Sequence, residues 1–333
     1  MSLQKAIIVD SPKNAQLVSD RVIPTLRDDC ILVKNVSVAL NPTDWKHIDF
    51  LAPPGVLVGC DYAGIVEDVG KDVKKSFKKG DRVCGFVHGS NAVQPEDGAF
   101  AEYIVAKGDL QYRIPESMTF EEAATLGLGA TTAALGLYQS LRVPIPASLV
   151  HGEKKTLVLI YGGSTATGTL AIQFAKLSDL GADVAFDYND PKSANMINDY
   201  TNDCLTLAFD TISVESSAKY CDISLSSQGG DYSALLPIKI VRDNIRDRAT
   251  MAYTAFGEKF TFGPNEVPAR PEDRAFLEVF CGIFEGMLLN GKIKVHPPRI
   301  SDGGLNGVLD GLQLLKEGKI SGQKLVYNIK DTL

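Results

Sequence analysis

The sequence predicts an α/β protein in two parts, a β-rich barrel-like unit and a doubly wound parallel-sheet unit. The first third of the chain is rich in Val, Ile and Gly and holds short strand-like runs. Short strands at this spacing indicate a barrel-like unit rather than a series of βαβ repeats. At 156–178 an apolar strand runs into a Gly-rich turn and then a helix, which is the local order of a nucleotide-binding fold.

The strands of the first part are predicted from Val- and Ile-rich runs bounded by turn residues. These runs are AIIVD at 6–10, CILVKNVSVAL at 30–40, GIVEDVG at 64–70, DRVCGFV at 81–87 and AEYIVAK at 101–107. The pattern changes near Met118, where Ser117 or Thr119 is a candidate helix N-cap followed by acidic residues. We expect the helical stretch that follows to break at Gly127 and Gly129.

The second part is predicted from continuous apolar runs, because a parallel strand covered on both faces requires them. Beyond the strand that starts near 156, the runs are VAFDY at 184–188, LAFDTIS at 207–213 and GDYSALLP at 230–237. An amphipathic helix is predicted over 272–290, ending at Gly291. The tail is predicted as strand, helix and strand, the last being QKLVYNI at 323–329.

Composition argues against several classes of protein. The 333 residues, 44% of them hydrophobic, are enough for one large or two medium domains with their own cores. The net charge of −7 disfavours a nucleic-acid partner. No apolar run reaches the roughly 18 residues of a membrane span, and the N-terminus lacks the apolar segment of a signal peptide. Six cysteines without a CxxC pair are interpreted as reduced thiols, so we expect a cytoplasmic protein.

The sharpest local motif is the run from Tyr161 to Gly168, YGGSTATG. Its glycines would let the backbone approach a pyrophosphate, and the helix that follows offers free N–H groups and a positive dipole end. The hydroxyls of Ser164, Thr165 and Thr167 add further donors. The match to GxGxxG is imperfect, so a strand-to-helix turn without a ligand is the competing interpretation.

A series of motifs follows the chain in a fixed order. They are NPTDWK at 41–46, GCDYAG at 59–64, GDRV at 80–83, GAFAEY at 98–103 and GGSTAT at 162–167. This order resembles the quinone-oxidoreductase-like branch of the medium-chain dehydrogenase/reductase superfamily over essentially the whole chain. GGSTAT, NPTDWK, TAFGE at 254–258 and GKISGQKLV at 318–326 are most similar to fungal trans-acting enoyl reductases of highly reducing polyketide synthases, of the lovastatin enoyl reductase type.

The resemblance implies a GroES-like substrate and catalytic domain at 1–117 and 294–333, and a Rossmann NADP-binding domain at 118–293. It implies NADP(H) as the cofactor, held with the substrate in the cleft between the domains. It also implies a polyketide synthase as the partner, with the substrate on its acyl carrier, and a monomeric enzyme.

The same resemblance assigns the site residues. The nicotinamide end is lined by Thr43, Asp44, Trp45, Lys46 and Thr132, and Lys46 and Thr132 are the candidate catalytic groups. The other cofactor residues are Gly163, Ser164, Thr165, Ala166, Thr167, Tyr188, Leu235, Leu236, Gly322 and Gln323. The substrate residues are Ala133, Ala134, Leu135, Gly136, Leu137, Tyr138, Gln139, Ser140, Thr254, Ala255, Phe256, Gly257 and Glu258. A solvated lysine, a helix-start hydroxyl and a core tyrosine are the competing interpretations of Lys46, Thr132 and Tyr188.

We expect no zinc, although alcohol dehydrogenases of this superfamily bind it. Zinc needs about four N or S ligands at fixed geometry. The segment NPTDWK holds no Cys, and GCDYAG lacks the His–Glu pair that zinc enzymes carry there. Cys60 is therefore interpreted as a buried free thiol, and His47, His88, His151 and His296 lack ligand spacing. Without a Lewis acid, direct hydride delivery to the β-carbon of an α,β-unsaturated thioester suits the site, with the protein stabilising the enolate.

The chain departs from the resembling family after Ser178. AIQFAKLS leads directly into DLGADVAFDY, although a doubly wound domain needs a second strand and helix there, with the ribose-reading residue at that strand's end. About 18 residues are missing by the usual length of a βαβ unit. Either they belong to the protein but not to this sequence, or a natural or engineered deletion removed them. The choice of NADP over NAD therefore depends on the resemblance alone.

Three functions remain open from the sequence. The first is a trans-acting enoyl reductase that serves a polyketide synthase. The second is a stand-alone NADPH:quinone or alkenal reductase, which would use the same fold and cofactor. The third is a catalytically silent accessory protein of the synthase, which the missing segment keeps open.

Overall fold

The computed structural model describes residues 2–146, 156–178 and 184–333. The chain divides into two compact units, one of Met1–Leu128 with Tyr253–Leu333 and the other of Gly129–Ala252. The domain boundaries predicted from the resemblance, after 117 and after 293, stay a prediction. His151, most of the loop predicted at 144–155 and the residues just after Ser178 lie outside the described part of the chain.

Fifteen strands are formed by the described residues. They are β1 Leu3–Ser11, β2 Asn14–Val22, β3 Cys30–Ala39, β4 Asp61–Val69, β5 Arg82–Phe86, β6 Tyr103–Lys107, β7 Tyr112–Arg113, β8 Val158–Tyr161, β9 Leu207–Asp210, β10 Gly230–Ala234, β11 Ile245–Ala249, β12 Phe260–Phe262, β13 Asn265–Val267, β14 Pro298–Ser301 and β15 Lys324–Asn328. All five strands predicted in the first third are confirmed. β2 was not predicted.

Eight α-helices lie between these strands in the described residues. They are α1 Pro42–Phe50, α2 Phe120–Ala123, α3 Gly127–Ala134, α4 Ala166–Leu177, α5 Ser193–Tyr200, α6 Glu215–Ser224, α7 Pro271–Leu289 and α8 Gly304–Lys316. Thr119 is the N-cap of α2, as predicted, and accepts the N–H of Glu122. The predicted break at Gly129 is wrong, because α3 runs through it and continues as a π-helical turn over Leu135–Ser140. No helix in the described residues is long and apolar enough to cross a membrane.

The first unit is built on a seven-stranded sheet in the order β14-β15-β3-β4-β5-β7, with β6 also paired to β3. Every pair in it is antiparallel except β14 with β15. Its core is apolar, with Ile7, Val33 and Phe100 fully buried. A buried ion pair between Lys324 and Asp61 connects β15 to β4, and Asp61 also accepts the N–H of Leu128 at 2.6 Å. This network fixes the last strand of the chain within the first unit.

The second unit holds a parallel sheet in the order β11-β10-β9-β8. The strands predicted at 156–161, 207–213 and 230–237 are confirmed, and the α/β fold class with them. The strand predicted at 184–188 is wrong, since these residues form no ladder with any strand of the described part of the chain, and Tyr188 is 65% exposed. In a doubly wound sheet the third strand pairs with the second. Between α4 and residue 184 the described residues contain no second strand, so this run has no ladder partner.

Candidate functional site

The Gly-rich turn connects β8 to α4, as the sequence predicted. Gly162 has φ +80°, a backbone conformation that glycine adopts without strain. A Cβ on Gly168 would lie 2.2 Å from the Gly162 carbonyl oxygen, so the first turn of α4 packs closely on the loop before it. A Cβ on Gly163 would meet only Ile172 Cδ1, at 3.0 Å. The turn therefore leaves room for a ligand along Gly163.

Side-chain hydroxyls hold this turn in place. Thr165 is the N-cap of α4, and its Oγ1 accepts the N–H of Gly168 at 2.9 Å. Thr165 Oγ1 also lies 3.0 Å from Thr211 Oγ1, which donates to the Tyr161 carbonyl at 2.8 Å. Ser164 is exposed. A rigid turn at the N-terminus of a twelve-residue helix matches what a pyrophosphate requires, so this half of a dinucleotide fits the residues present.

The adenosine half of a dinucleotide has no such support among the described residues. β8 is the edge of the sheet, and all four of its residues are only half-buried. Tyr188, predicted to stack near the adenine, lies edge-on to Tyr161 with ring centroids 6.1 Å apart. The strand that carries the ribose reader in doubly wound folds would lie beside β8. The described residues supply none, so this half does not fit.

Leu235 and Leu236 directly follow β10, as predicted. The N–H of Leu235 donates to Ser213 Oγ at 2.7 Å, and the carbonyl of Leu236 accepts the N–H of Ile238 at 2.7 Å. Two of their four backbone polar groups are thus already used within the unit. A carboxamide contact at these residues would use the carbonyl of Leu235 or the N–H of Leu236.

Thr132 and the run from 133 to 140 lie in the second unit. Thr132 is buried in α3, and the side chains from Ala133 to Tyr138 are buried with it. Gly136 lies directly against the Phe209 ring, because a Cβ there would be 2.4 Å from the nearest ring atom. π-helical turns are rare and often occur at functional sites. An acyl pocket along this run stays a prediction.

Helix α1 presents two different faces to the rest of the first unit. On one face the Thr43 Oγ1 lies 2.9 Å from the Tyr253 hydroxyl and 3.0 Å from His47 Nδ1. On the other face Trp45 packs on the apolar core, with the Nζ atoms of Lys46 and Lys316 over its ring at 5.7 and 5.8 Å. The structure therefore brings Thr43 and Asp44 towards Tyr253, and points Trp45 elsewhere. Lys46 is half-buried, and burial lowers its pKa.

A buried polar cluster surrounds the Tyr253 hydroxyl. The Tyr253 hydroxyl oxygen lies 3.6 Å from Cys60 Sγ. The Cys60 side chain in turn lies beside the carboxyl of Asp44 and lowers its pKa. Burial, together with the nearby charge of Asp61, raises the pKa of Asp44 to about 7. Burial likewise raises the pKa of Cys60 well above its usual value. At neutral pH this cluster holds a protonated thiol beside a carboxyl whose pKa is raised towards neutrality.

Tyr253 also packs into an aromatic stack. Its ring lies 4.2 Å from the His88 ring, which is also stacked on Phe256 at 5.8 Å. Burial lowers the pKa of His88 to about 3, so this imidazole is neutral. A cavity beside the stack is lined in part by His88, Phe256, Lys107 and Glu258. Neither Tyr253 nor His88 was predicted, because their partners are distant in sequence and carry no shared motif.

The segment 254–258 contributes Phe256 to this stack. Thr254, Ala255 and Phe256 are buried, Gly257 has φ +71°, and the exposed Glu258 accepts from the Lys107 Nζ at 2.5 Å. Gly322 and Gln323 lie on an exposed turn before β15, with φ +65° at Gly322. The substrate and cofactor roles of these residues stay predictions.

The described residues contain no group of three His, Cys, Asp or Glu side chains able to hold a metal ion. Cys60 has Tyr253 and Asp44 as its polar neighbours.

The chain matches known proteins in both sequence and fold. Residues 27–116 match the alcohol dehydrogenase GroES-like domain family. The chain is 58% identical over 278 residues to a trans-enoyl reductase of Cochliobolus carbonum, covering 78% of this chain and 93% of the relative. It is 47% identical over 356 aligned positions to a trans-enoyl reductase of Aspergillus sclerotiorum, covering 98% and 100%. That alignment is longer than the chain itself, so this relative holds residues that the chain lacks.

The fold is shared with solved structures of low identity. An alcohol dehydrogenase superfamily protein from Novosphingobium aromaticivorans has a TM-score of 0.76 at 19% identity, covering 97% of this chain and 98% of that one. The likeness establishes the architecture, a GroES-like domain with a Rossmann-type parallel sheet.

Proposed function

The chain belongs to the trans-enoyl reductase family, and from this premise we propose that it is an NADPH-dependent, zinc-free enoyl reductase of fungal secondary metabolism. It reduces the α,β-double bond of an acyl thioester that a highly reducing polyketide synthase carries on its phosphopantetheine arm. The substrate therefore arrives on another protein. We propose that the enzyme works as a cytoplasmic monomer.

The observation that carries the proposal is the rigid turn between β8 and α4. Backbone N–H groups of Gly163, Ser164, Ala166 and Thr167 would hold the pyrophosphate of the cofactor, with the dipole of α4 favouring its negative charge. The N–H of Thr165 is used within the turn, where it donates to the Gly162 carbonyl at 2.9 Å. A bound nicotinamide dinucleotide supplies the hydride that this reduction needs. NADPH in place of NADH is proposed from the family likeness.

The protein's own residues orient the reactants and stabilise the enolate. We assign Lys46 and Thr132 to the enolate oxygen, residues 133–140 and 254–258 to the acyl chain, and Tyr188, Leu235, Leu236, Gly322 and Gln323 to the rest of the cofactor. Lys46 is half-buried, and partial desolvation would strengthen its attraction to a developing negative charge once its Nζ leaves the Trp45 ring that it now lies over. The segment NPTDWK at 41–46, which holds no Cys, supports chemistry without zinc.

Turnover with a small enoyl thioester tests the proposal. NADPH oxidation by the purified 333-residue chain is followed with crotonyl-CoA, and butyryl-CoA is the matched substrate without a double bond. We expect oxidation with the first and none with the second. Rapid turnover of quinones alongside inertness to every enoyl thioester would replace the proposal with a quinone or alkenal reductase.

The open edge of β8 favours a second candidate, a catalytically silent accessory of the synthase. Without support for adenosine the chain would bind neither nucleotide, while the first unit stayed folded. Calorimetric titration with NADPH separates the two. A measurable affinity supports the reductase, and no affinity together with retention by the synthase supports the accessory protein.

A further inference from the structure

We propose that Asp44 stores the proton that completes the reduction, and that Cys60, Tyr253 and Thr43 pass it to the α-carbon of the substrate. The inference rests on the enoyl reduction proposed above. It assigns a function to a buried cluster that hydride transfer itself does not use.

Three of the four groups are connected by measured contacts within the first unit, and the fourth, Asp44, lies beside Cys60. Tyr253 lies between Thr43 Oγ1 at 2.9 Å and Cys60 Sγ at 3.6 Å. The Cys60 side chain lies close enough to the Asp44 carboxyl to lower its pKa, and the unsatisfied Asp44 Oδ1 is the oxygen that we propose it meets. Asp44, Cys60 and Tyr253 are 1%, 2% and 4% exposed, whereas Thr43 is half-buried. Thr43 is therefore the end of the path that a substrate can reach.

His47 sets the direction of the hydrogen bonds at this end. Its Nδ1 lies 2.8 Å from the Thr43 carbonyl oxygen, which can only accept, so Nδ1 carries the proton. Burial lowers the pKa of His47, which keeps the ring neutral. The same Nδ1–H is 3.0 Å from Thr43 Oγ1. Because Thr43 Oγ1 accepts there, its own hydrogen is free to point towards another acceptor.

Asp44 has the character of a proton store. One oxygen, Oδ2, accepts the N–H of Asn41 at 2.7 Å and completes the capping box of α1. The other, Oδ1, is buried without a partner of good hydrogen-bond geometry in the described residues. An acid with a pKa near the working pH is the most effective proton donor, and burial places the pKa of Asp44 at about 7.

Two charged groups of the described residues shift the pKa of Asp44. Asp61 on β4 raises its pKa, and Lys324 on β15 lowers it, but these two are paired with each other. Cys60 and Tyr253 have pKa values raised by burial and stay neutral. Asp44 is thus the group of this cluster that changes charge near neutral pH.

The step balances in atoms and charge. The β-carbon receives a hydride from the nicotinamide cofactor, and the two electrons that arrive leave an enolate. The Thr43 O–H bond then breaks as a C–H bond forms at the α-carbon. Thr43 regains a proton from Tyr253, Tyr253 from Cys60, and Cys60 from Asp44, which is left as the carboxylate. A proton from the bulk solvent then enters at Thr43 and returns Asp44 to its acid form before the next turnover, which restores the proton that the product has taken.

The pH dependence of kcat with crotonyl-CoA tests the path. The acid form of Asp44 is required, so wild-type kcat should fall as pH rises through about 7. Asp44→Asn keeps an oxygen for the Asn41 N–H, and it should lose this limb and lower kcat about 100-fold. Tyr253→Phe should lower kcat with little change in KM. Asp49→Asn is the matched control, because Asp49 lies on α1 but pairs with Lys316 on the other face.

A pair of cysteine variants separates proton transfer from packing. Cys60→Ser keeps a group that passes protons, and it should retain clearly more activity than Cys60→Ala. Equal losses in the two, or a wild-type pH profile in Asp44→Asn, would overturn the path while leaving enoyl reduction intact. An inactive wild-type chain would instead refute the proposed function and the path together. If Asp44→Asn fails to fold, the Tyr253 and Cys60 variants decide the question.

Discussion

At the scale of single residues, the first unit keeps its imidazoles neutral inside an apolar cluster. His88 is 6% exposed and stacked between Tyr253 and Phe256, and His47 is 4% exposed. Burial lowers the pKa of His88 to about 3 and also lowers that of His47. Protonating either ring inside this cluster would cost free energy, because the charge would be buried, whereas the solvated ring of the unfolded chain has no such cost.

The pH dependence of stability should reflect this burial. The unfolded His88 has an ordinary pKa near 6.5 and binds a proton that the folded ring does not. Its contribution is therefore complete above about pH 6.5 and is lost as the pH falls towards 3, by up to about 1.4 kcal/mol per pH unit. Asp44 has the opposite effect on the pH dependence of stability. Between its unfolded pKa and about 7 the folded state binds the extra proton, so the contribution of Asp44 to stability increases as the pH falls.

Comparing slopes removes the contribution of Asp44. We expect the unfolding free energy of wild type, measured in urea, to decline more steeply between pH 6.5 and 5 than that of His88→Gln. The variant is less stable at pH 7, so the slope and not the absolute value is diagnostic. Parallel slopes would mean that His88 takes up its proton in the folded protein.

These residues also mark the limit of sequence reasoning. Thr43 and Asp44 were assigned from a motif, but Tyr253 meets Thr43 across 210 positions and Cys60 across 193. Such contacts depend on how β4, α1 and the segment after residue 252 pack, which no local pattern encodes. The sequence could therefore predict both ends of the buried path and not the Cys60–Tyr253 link in its middle.

At the scale of elements, the β8–turn–α4 segment was predictable because its signals are local. The apolar strand, the positive-φ Gly162 and the Thr165 N-cap all act within a few residues. The strand at 184–188 failed for the opposite reason. Its residues have the right pattern, but a strand forms only with a ladder partner, and that partner would come from a segment the chain lacks.

Two glycine variants should separate the fold of this turn from its ligand. Gly168→Ala places a Cβ 2.2 Å from a backbone oxygen that cannot move aside, and it should cost about 2 kcal/mol or more of unfolding free energy. Gly163→Ala meets only the end of the Ile172 side chain and should stay within about 1 kcal/mol of wild type. It should still weaken NADPH binding at least tenfold, because the methyl group occupies the proposed pyrophosphate position.

Chemical denaturation and calorimetric titration of the same two preparations check this pair. A Gly163→Ala protein with wild-type affinity for NADPH would show that the cofactor does not approach that backbone. A stable Gly168→Ala protein would show that the turn relaxes more readily than its close packing suggests.

At the scale of the whole molecule, the parallel sheet formed by the described residues ends at β8, which has no further strand beside it there. Leu159 and Ile160 on β8 are only half-buried, although strands of parallel sheets are normally covered on both faces. An apolar edge of this kind is a template for pairing with another chain. The relative from Aspergillus sclerotiorum aligns over 356 positions and so holds residues that this chain lacks. We infer that these include the strand and helix that would cover β8.

Restoring that segment should therefore repair stability and cofactor binding together. We expect a chimera with the relative's residues inserted after Ser178 to gain about 2 kcal/mol of unfolding free energy, from full burial of Leu159 and Ile160. It should also bind NADPH more tightly than the 333-residue chain and scatter less light when concentrated. An insertion of equal length made of Gly and Ser is the matched control. It supplies residues but no strand, so equal gains from both insertions would contradict an unpaired β8. A separate measurement, the intact mass of the natural protein, would show that it already carries the segment if the mass exceeds that of 333 residues.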